Sequence, residues 1–208
     1  TFAARPALLI IDVVESFTGT RPQGVLDSIE EYRTSCGEQA WPALEAIRQL
    51  PAACRSRGIP VVYTKGDPTD KYFCGDSVKG TAPEEIARLY GAPIAAAIAP
   101  RPEEYVLQKT KASAFFGTPL ASYFLKLGVD TLLVCGTSTS GCVRASVVDA
   151  FSHNFKVFVV EEGCFDRSPF SHLVNLFEMD AKYADVVTLA EALAYLAATP
   201  TAAAVADG

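Results

Sequence analysis

Histidine is scarce in this chain. There are two, His153 and His172, and neither falls in an HxxxH or DxH pattern. A zinc site built on several imidazoles is therefore not expected, and no metal or organic cofactor is called for. Paired cysteines are missing too: Cys36, Cys54, Cys74, Cys135, Cys142 and Cys164 include no CxxC. That is a reduced, cytoplasmic set rather than a disulfide framework. No apolar run has the length of a membrane span, and no signal peptide pattern is visible. Positive charge is in deficit, with 18 Lys and Arg against 24 Asp and Glu and a net charge of −6. This argues against nucleic acid or an anionic membrane surface as the main partner. No internal repeat or second domain is apparent.

What remains is an ordinary globular composition in 208 residues, half hydrophobic and a fifth charged. That is enough for one domain with a full core, expected over residues 1–198 and followed by a disordered Ala/Thr-rich tail over 199–208. Apolar runs alternate with helical periodicity along the chain. Pro6–Val14 is a continuous branched run and reads as a central parallel strand. A helix over about 38–57 follows, stopped by Gly58, and then a strand over 59–64. Residues 25–36 carry no clear signal, and the long stretch Lys65–Pro102 is helical only over 83–90. Loops of that length are usually functional or lie against a partner, and the alternative reading is a mobile surface excursion. A strand at 105–107, a helix at 118–127, a strand at 132–135, a helix after Cys142, and a strand at 155–160 come next. A helix at 169–183 with Leu173, Leu176 and Phe177 as its apolar stripe, a strand at 185–189 and a last helix at 190–198 complete the pattern. The expected fold is a three-layer αβα sandwich around a six-stranded, mostly parallel sheet.

Chemistry-bearing residues gather at the predicted carboxyl ends of strands, where such sheets bind ligands. Asp12 ends the first apolar run, and a carboxylate there costs free energy unless it is paired or has work to do. The alternative is an Asp that caps the following turn. Lys109 stands at the exit of the third strand. Cys142 stands where the small-residue loop Gly136–Gly141 becomes a helix, whose free amides would favour a thiolate. The competing reading of Cys142 is a small buried apolar residue. Cys36 is read as an incidental loop cysteine, and Trp41 as core. Phe17 is expected as a wall over the first strand's end, and Phe115 as a pocket aromatic or a core residue.

The segments ALLIIDVVESF, QKTKASAFFGTPL and LLVCGTSTSGCVRASVVDAF, in this order and spacing, resemble the cysteine hydrolases of the isochorismatase-like superfamily over about residues 6–197. The resemblance implies strand order 3-2-1-4-5-6 and a catalytic triad of Asp12, Lys109 and Cys142. It also implies a cis peptide at Thr137–Ser138, an oxyanion hole from the main-chain amides of Ser138 and Cys142, and Thr137 beside the substrate. Nicotinamidases in this superfamily carry a D-x-H metal motif where this chain has Asp67-Pro68-Thr69, and isochorismatases proper lack the cysteine. TSGCVRASVVDA, EEGCFDRSP and NLFEMDAKYADV look most like the N-carbamoylsarcosine and maleamate amidohydrolase branch. One departure is Val14, where many members have Gln or Asn.

On that resemblance the expected activity is hydrolysis of a small amide or ureido compound bearing a carboxylate, with Arg167 as the carboxylate clamp. Arg167 is otherwise a surface arginine paired with Asp166 or Glu162. A homo-oligomer, a tetramer, is also implied. Three other readings stay open: an isochorismatase-like or nicotinamidase-like hydrolase of another substrate, a small-molecule binding protein that has lost turnover, and a redox thiol protein using Cys142.

Overall fold

The computed structural model describes residues 5–69 and 82–200. Cys74, part of the Lys65–Pro102 stretch and the tail over 201–208 lie outside the described residues. Six strands form one parallel sheet in the order β3-β2-β1-β4-β5-β6, as the sequence implies. They are β1 (Pro6–Ile11), β2 (Val61–Gly66), β3 (Tyr105–Lys109), β4 (Thr131–Thr137), β5 (Lys156–Phe165) and β6 (Asp185–Val187). The helices are α1 (Glu15–Thr18), α2 (Val25–Glu31), α3 (Ala40–Arg57), α4 (Pro83–Gly91), α5 (Leu120–Leu127), α6 (Arg144–Ser152), α7 (Pro169–Lys182) and α8 (Leu189–Ala198).

Every residue of β1 and β4 is buried, which is why both strands read as unbroken apolar runs without alternation. Alternate side chains nonetheless serve different layers. Leu8, Ile10, Leu133 and Cys135 join α3 and α8 on one face. Ala7, Leu9, Ile11, Leu132 and Val134 join α5, α6 and α7 on the other. Truncating a side chain such as Leu133 to Ala would cost about 2–5 kcal/mol, because close packing leaves a cavity. Residues 25–36 contain α2, a helix whose one fully buried side chain is Ser28, so no apolar stripe announced it. β5 runs five residues past the apolar segment because its second half pairs with Gly136 and Thr137 beyond a register shift. Thr199 is anchored: it is buried and its carbonyl accepts from Arg57 Nη1.

The apolar stripe of α7 is the main correction. Leu176 and Met179 are buried, but Leu173 and Phe177 are exposed, together with Phe170 and Val174. The helix is apolar on two faces, and periodicity alone does not tell which one meets the core.

Candidate active site

β1 and β4 approach most closely at their exits. Gly136 has φ +122°, and a Cβ there would lie 2.1 Å from Ile11 O. Only glycine permits that approach. It brings the residue after β1 beside the turn after β4. Asp12 takes φ +50°, a region few non-glycine residues occupy, although Asp is among the tolerant ones. Held this way, Asp12 is 4% exposed. Its Oδ2 meets Lys109 Nζ at 2.7 Å, and Lys109 Nζ also donates to Lys111 O at 2.9 Å. Its Oδ1 accepts from Thr64 Oγ1 at 2.7 Å, and Thr64 Oγ1 in turn accepts the Asp12 N–H at 3.1 Å. The buried carboxylate is thus paired and fully hydrogen-bonded, the condition for keeping a charge out of water.

Cys142 completes the group. It lies in a π-helical turn, Thr139–Val143, that leads into α6, and its thiol feels the charges of both Asp12 and Lys109. The peptide Thr137–Ser138 just before this turn is cis. Burial and the Asp12 carboxylate push the Cys142 thiol up to about 12. This corrects the expectation that the helix start would lower it. The carboxylate of Asp166 accepts the Ser140 N–H and so occupies the start of the turn, while Asp12 repels a thiolate directly. Burial disfavours the Lys109 ammonium, but Asp12 and Cys142 outweigh it and hold Lys109 above its usual value. The resting arrangement is a thiol beside a carboxylate–ammonium pair.

These three side chains open on one cavity of about 290 Å³. Phe17, Val14, Thr34, Leu89, Tyr90 and Lys111 are in its wall. Leu89 and Tyr90 belong to α4, so part of the long stretch after β2 is wall of the site. Tyr90 is seated against Gly66, where any Cβ would come within 2.6 Å of its ring. The segment after α4 returns beside residues 13–15, just past β1, with Ala95 N donating to Val13 O and Glu15 N to Pro93 O.

Two expected pocket residues face the core, and a third, Arg167, stands outside the cavity wall beside the Arg33–Thr34 segment. Phe115 is buried in the core, its ring against Phe124, Phe155 and His153, because the loop before α5 turns it inward. The Thr137 side chain is also fully buried and donates to Phe165 O at 3.1 Å, pinning β4 to β5 rather than facing the cavity. Arg167 is exposed and outside the cavity wall, and its Nη1 donates to Arg33 O at 3.5 Å. Its neighbour Asp166 spends its carboxylate on Ser140 and on the Arg167 N–H, not on the guanidinium. Cys36 is buried in the core, where burial drives its thiol up to about 12. Neither histidine lines the cavity: His153 stacks on Phe115, and His172 Nδ1 hydrogen-bonds Thr139 Oγ1. Asp67 Oδ1 accepts from Thr69 N and Oγ1, a local turn in place of a metal motif. Among the described residues no group of three His, Cys, Asp or Glu is placed to hold a metal, and no helix is long and apolar enough to cross a membrane.

Sequence reasoning missed three polar residues that complete the site. Thr64 looks like any strand threonine, and Asp166 like a loop carboxylate. Ser146 links the two halves of the site: it donates to Cys142 O at 2.7 Å and accepts from Ala114 N at 2.9 Å. Their common signal is a polar side chain inside, or at the exit of, an otherwise apolar element.

A three-layer α/β fold with an acid, an ammonium and a thiol meeting at the strand exits marks a hydrolase of the isochorismatase-like class. Residues 6–191 match the Isochorismatase domain, and the chain belongs to that family. It is 40% identical to a maleamate amidohydrolase of Pseudomonas putida, over 94% of this chain and 88% of that protein. It is 33% identical to an N-carbamoylsarcosine amidase of Arthrobacter, over 96% of this chain and 74% of that protein. A solved isochorismatase family protein from Desulfovibrio vulgaris superposes with a TM-score of 0.73 at 30% identity, covering 94% of this chain and 100% of that one.

Proposed function

We propose that this protein is a cysteine amidohydrolase that cleaves the C–N bond of a small carboxylate-bearing amide or ureido compound and releases ammonia. One observation carries the reading: Cys142 shares the lining of one small cavity with a buried Asp12–Lys109 ion pair. The amidase relatives support the reaction class.

Asp12 takes the thiol proton as the substrate carbonyl arrives, and the sulfur attacks the carbonyl carbon. A C–S bond forms, and the carbonyl electrons move to oxygen. The main-chain amides of Ser138 and Cys142 hold that oxyanion, a contribution of about 3–4 kcal/mol per donor. Asp12 hands its proton to the leaving nitrogen, the C–N bond breaks and ammonia departs. Water, deprotonated by Asp12, then attacks the thioester carbon. The C–S bond breaks, the acid product leaves and the thiol regains its proton. Lys109 remains an ammonium throughout and offsets the negative charge that passes between sulfur and carboxylate. No step calls for a metal.

Arg167 is assigned as the clamp for the substrate carboxylate. It reaches Arg33, the residue before Thr34 of the cavity wall. Phe17 is assigned as the apolar wall for the substrate's carbon skeleton. The exposed face of α7, with Phe170, Leu173, Val174 and Phe177, supports a homo-oligomer, which the family resemblance makes a tetramer. The free thiols Cys36, Cys54, Cys135, Cys142 and Cys164 fit a reducing, cytoplasmic setting.

The test is an ammonia-release screen over N-carbamoyl amino acids, maleamate and nicotinamide, before and after dialysis against a strong chelator. Turnover of a carboxylate-bearing amide that survives chelation is the expected result. Ligand binding by calorimetry with no ammonia from any candidate would make the protein a small-molecule binder instead. A rate lost to the chelator and restored by zinc or iron would move the chain toward metal-dependent members of the family.

A further inference from the structure

The nucleophile turn is gripped from one side by the segment that follows β5. Thr137 Oγ1 donates to Phe165 O. Both the N–H and the Oγ–H of Ser140 go to Asp166 Oδ2, at 2.9 and 2.6 Å. The other oxygen of Asp166 accepts the Arg167 N–H at 2.8 Å. Thr139 Oγ1 and His172 Nδ1 share a hydrogen bond of 2.9 Å. Thr139 is fully buried and Asp166 is 8% exposed, while Ser140 is exposed and His172 half-buried, so these bonds are partly shielded from water. Two of the residues held, Thr139 and Ser140, lie within three residues of Cys142 in the same π-helical turn.

We infer that Asp166 and His172 are positioning residues for the nucleophile, fixing the turn from which Cys142 faces Asp12 and Lys109. The inference rests on Cys142 being the nucleophile. A π-helical turn is uncommon, and this one is continued directly by α6. The side-chain partners of Thr139 and Ser140 come from Asp166 and His172, after β5 and in the first turn of α7, while Ser146 of α6 holds the Cys142 carbonyl. His172 shares the inward face of α7 with Leu176 and Met179, both buried, so the imidazole is carried by a helix packed in the core. Asp166 is carried by the end of a strand paired to β4. Both groups therefore transmit a rigid frame to the turn, and a displacement of about 1 Å at a reacting atom costs on the order of 100-fold in rate.

The variants are Asp166→Ala, His172→Leu and His172→Asn. Asparagine keeps a polar atom near the Nδ1 position, whereas leucine fills the volume without one. From the turn's side, Thr139→Val removes the bond to His172 and Ser140→Ala one of the two bonds to Asp166, and they carry the test if Asp166→Ala does not fold. Each variant is measured for kcat and KM, for melting temperature, and for the pH dependence of Cys142 alkylation by iodoacetamide read by peptide mass.

For Asp166→Ala and His172→Leu we expect kcat to fall about 10- to 100-fold with KM within about threefold. His172→Asn should recover most of the loss. The alkylation profile should move toward an ordinary thiol near 8.5, because a displaced sulfur leaves both its burial and the Asp12 carboxylate. A purely structural role would lower the melting temperature and leave that profile unchanged in the folded protein. An unchanged kcat and alkylation profile, or a loss that follows only the unfolded fraction and that asparagine does not rescue, would overturn the inference. If the wild-type protein hydrolyses no amide, the proposed function fails, and the alkylation arm still decides this point.

Discussion

Thr64 and Asp12 exchange two hydrogen bonds across the seam between β1 and β2. The threonine hydroxyl donates to Asp12 Oδ1 and accepts the Asp12 N–H. One hydroxyl thereby fixes both the backbone and the carboxylate of the residue proposed as general base. The second carboxylate oxygen is left for Lys109.

Thr64→Val preserves shape and removes the hydroxyl. The hydrogen bond it deletes goes to a charged group, an interaction worth about 1.5–3 kcal/mol. We expect kcat to fall about tenfold or more, with a smaller change in KM, in steady-state assays of ammonia release. Wild-type kinetics in this variant would mean that Asp12 is held adequately by Lys109 alone.

Cys142→Ala should reduce hydrolysis by at least about 10⁴-fold while leaving the circular dichroism spectrum intact. In the native protein, alkylation should report the raised thiol directly. Burial and Asp12 hold the proton on Cys142 up to about 12. Below that value the thiolate fraction grows about tenfold per pH unit, so the rate should climb without a plateau from about pH 6 to about pH 10. The folded state binds this proton more tightly than the unfolded chain. Its contribution to stability is therefore full below the ordinary thiol range and declines above it. A plateau near neutrality would mean an activated thiolate at rest.

Arg167→Ala tests the carboxylate clamp. If the guanidinium engages substrate, KM for a carboxylate-bearing amide should rise about 10- to 100-fold, because two parallel charge-assisted hydrogen bonds are lost. Discrimination against the uncharged ester should shrink equally, and lysine should not restore it. Retention of both KM and discrimination would leave Arg167 as a tie to the Arg33 carbonyl and nothing more.

The outward face of α7 predicts self-association. Light scattering at micromolar concentration should give a four-chain mass. Phe170→Asp with Phe177→Asp should yield a smaller species, since each substitution places a charge in a face that is otherwise apolar. A monomeric wild-type protein would remove the reason for that face.

The elements legible in the sequence were those whose burial is uniform. β1 and β4 announced themselves because the sheet is covered on both faces, and Asp12 stood out because it ends such a run. Lys109 and Cys142 followed from strand exits. What escaped notice has a common cause: the outcome depended on which neighbour a side chain meets. Thr64 is chemically unremarkable until Asp12 lies across from it. Leu173 and Phe177 have the spacing of core residues but face outward, and whether Phe115 lined a pocket or joined the core depended on which way its loop turned. The helix start after β4 looked like a field favouring a thiolate, yet the distant Asp166 already occupies it.

The separation of the site's parts along the chain has a consequence for synthesis. β1 emerges before both of its partners in the sheet, and Cys142 follows the second of them. A nascent chain therefore carries the acid long before it carries the thiol. The cavity's sulfur acquires its neighbours only when translation has passed residue 142 and β4 has docked. Partial products and truncated chains lack the assembled centre. Capture of the thiol by a substrate-shaped electrophile would thus mark completed molecules, making the site its own reporter of maturation.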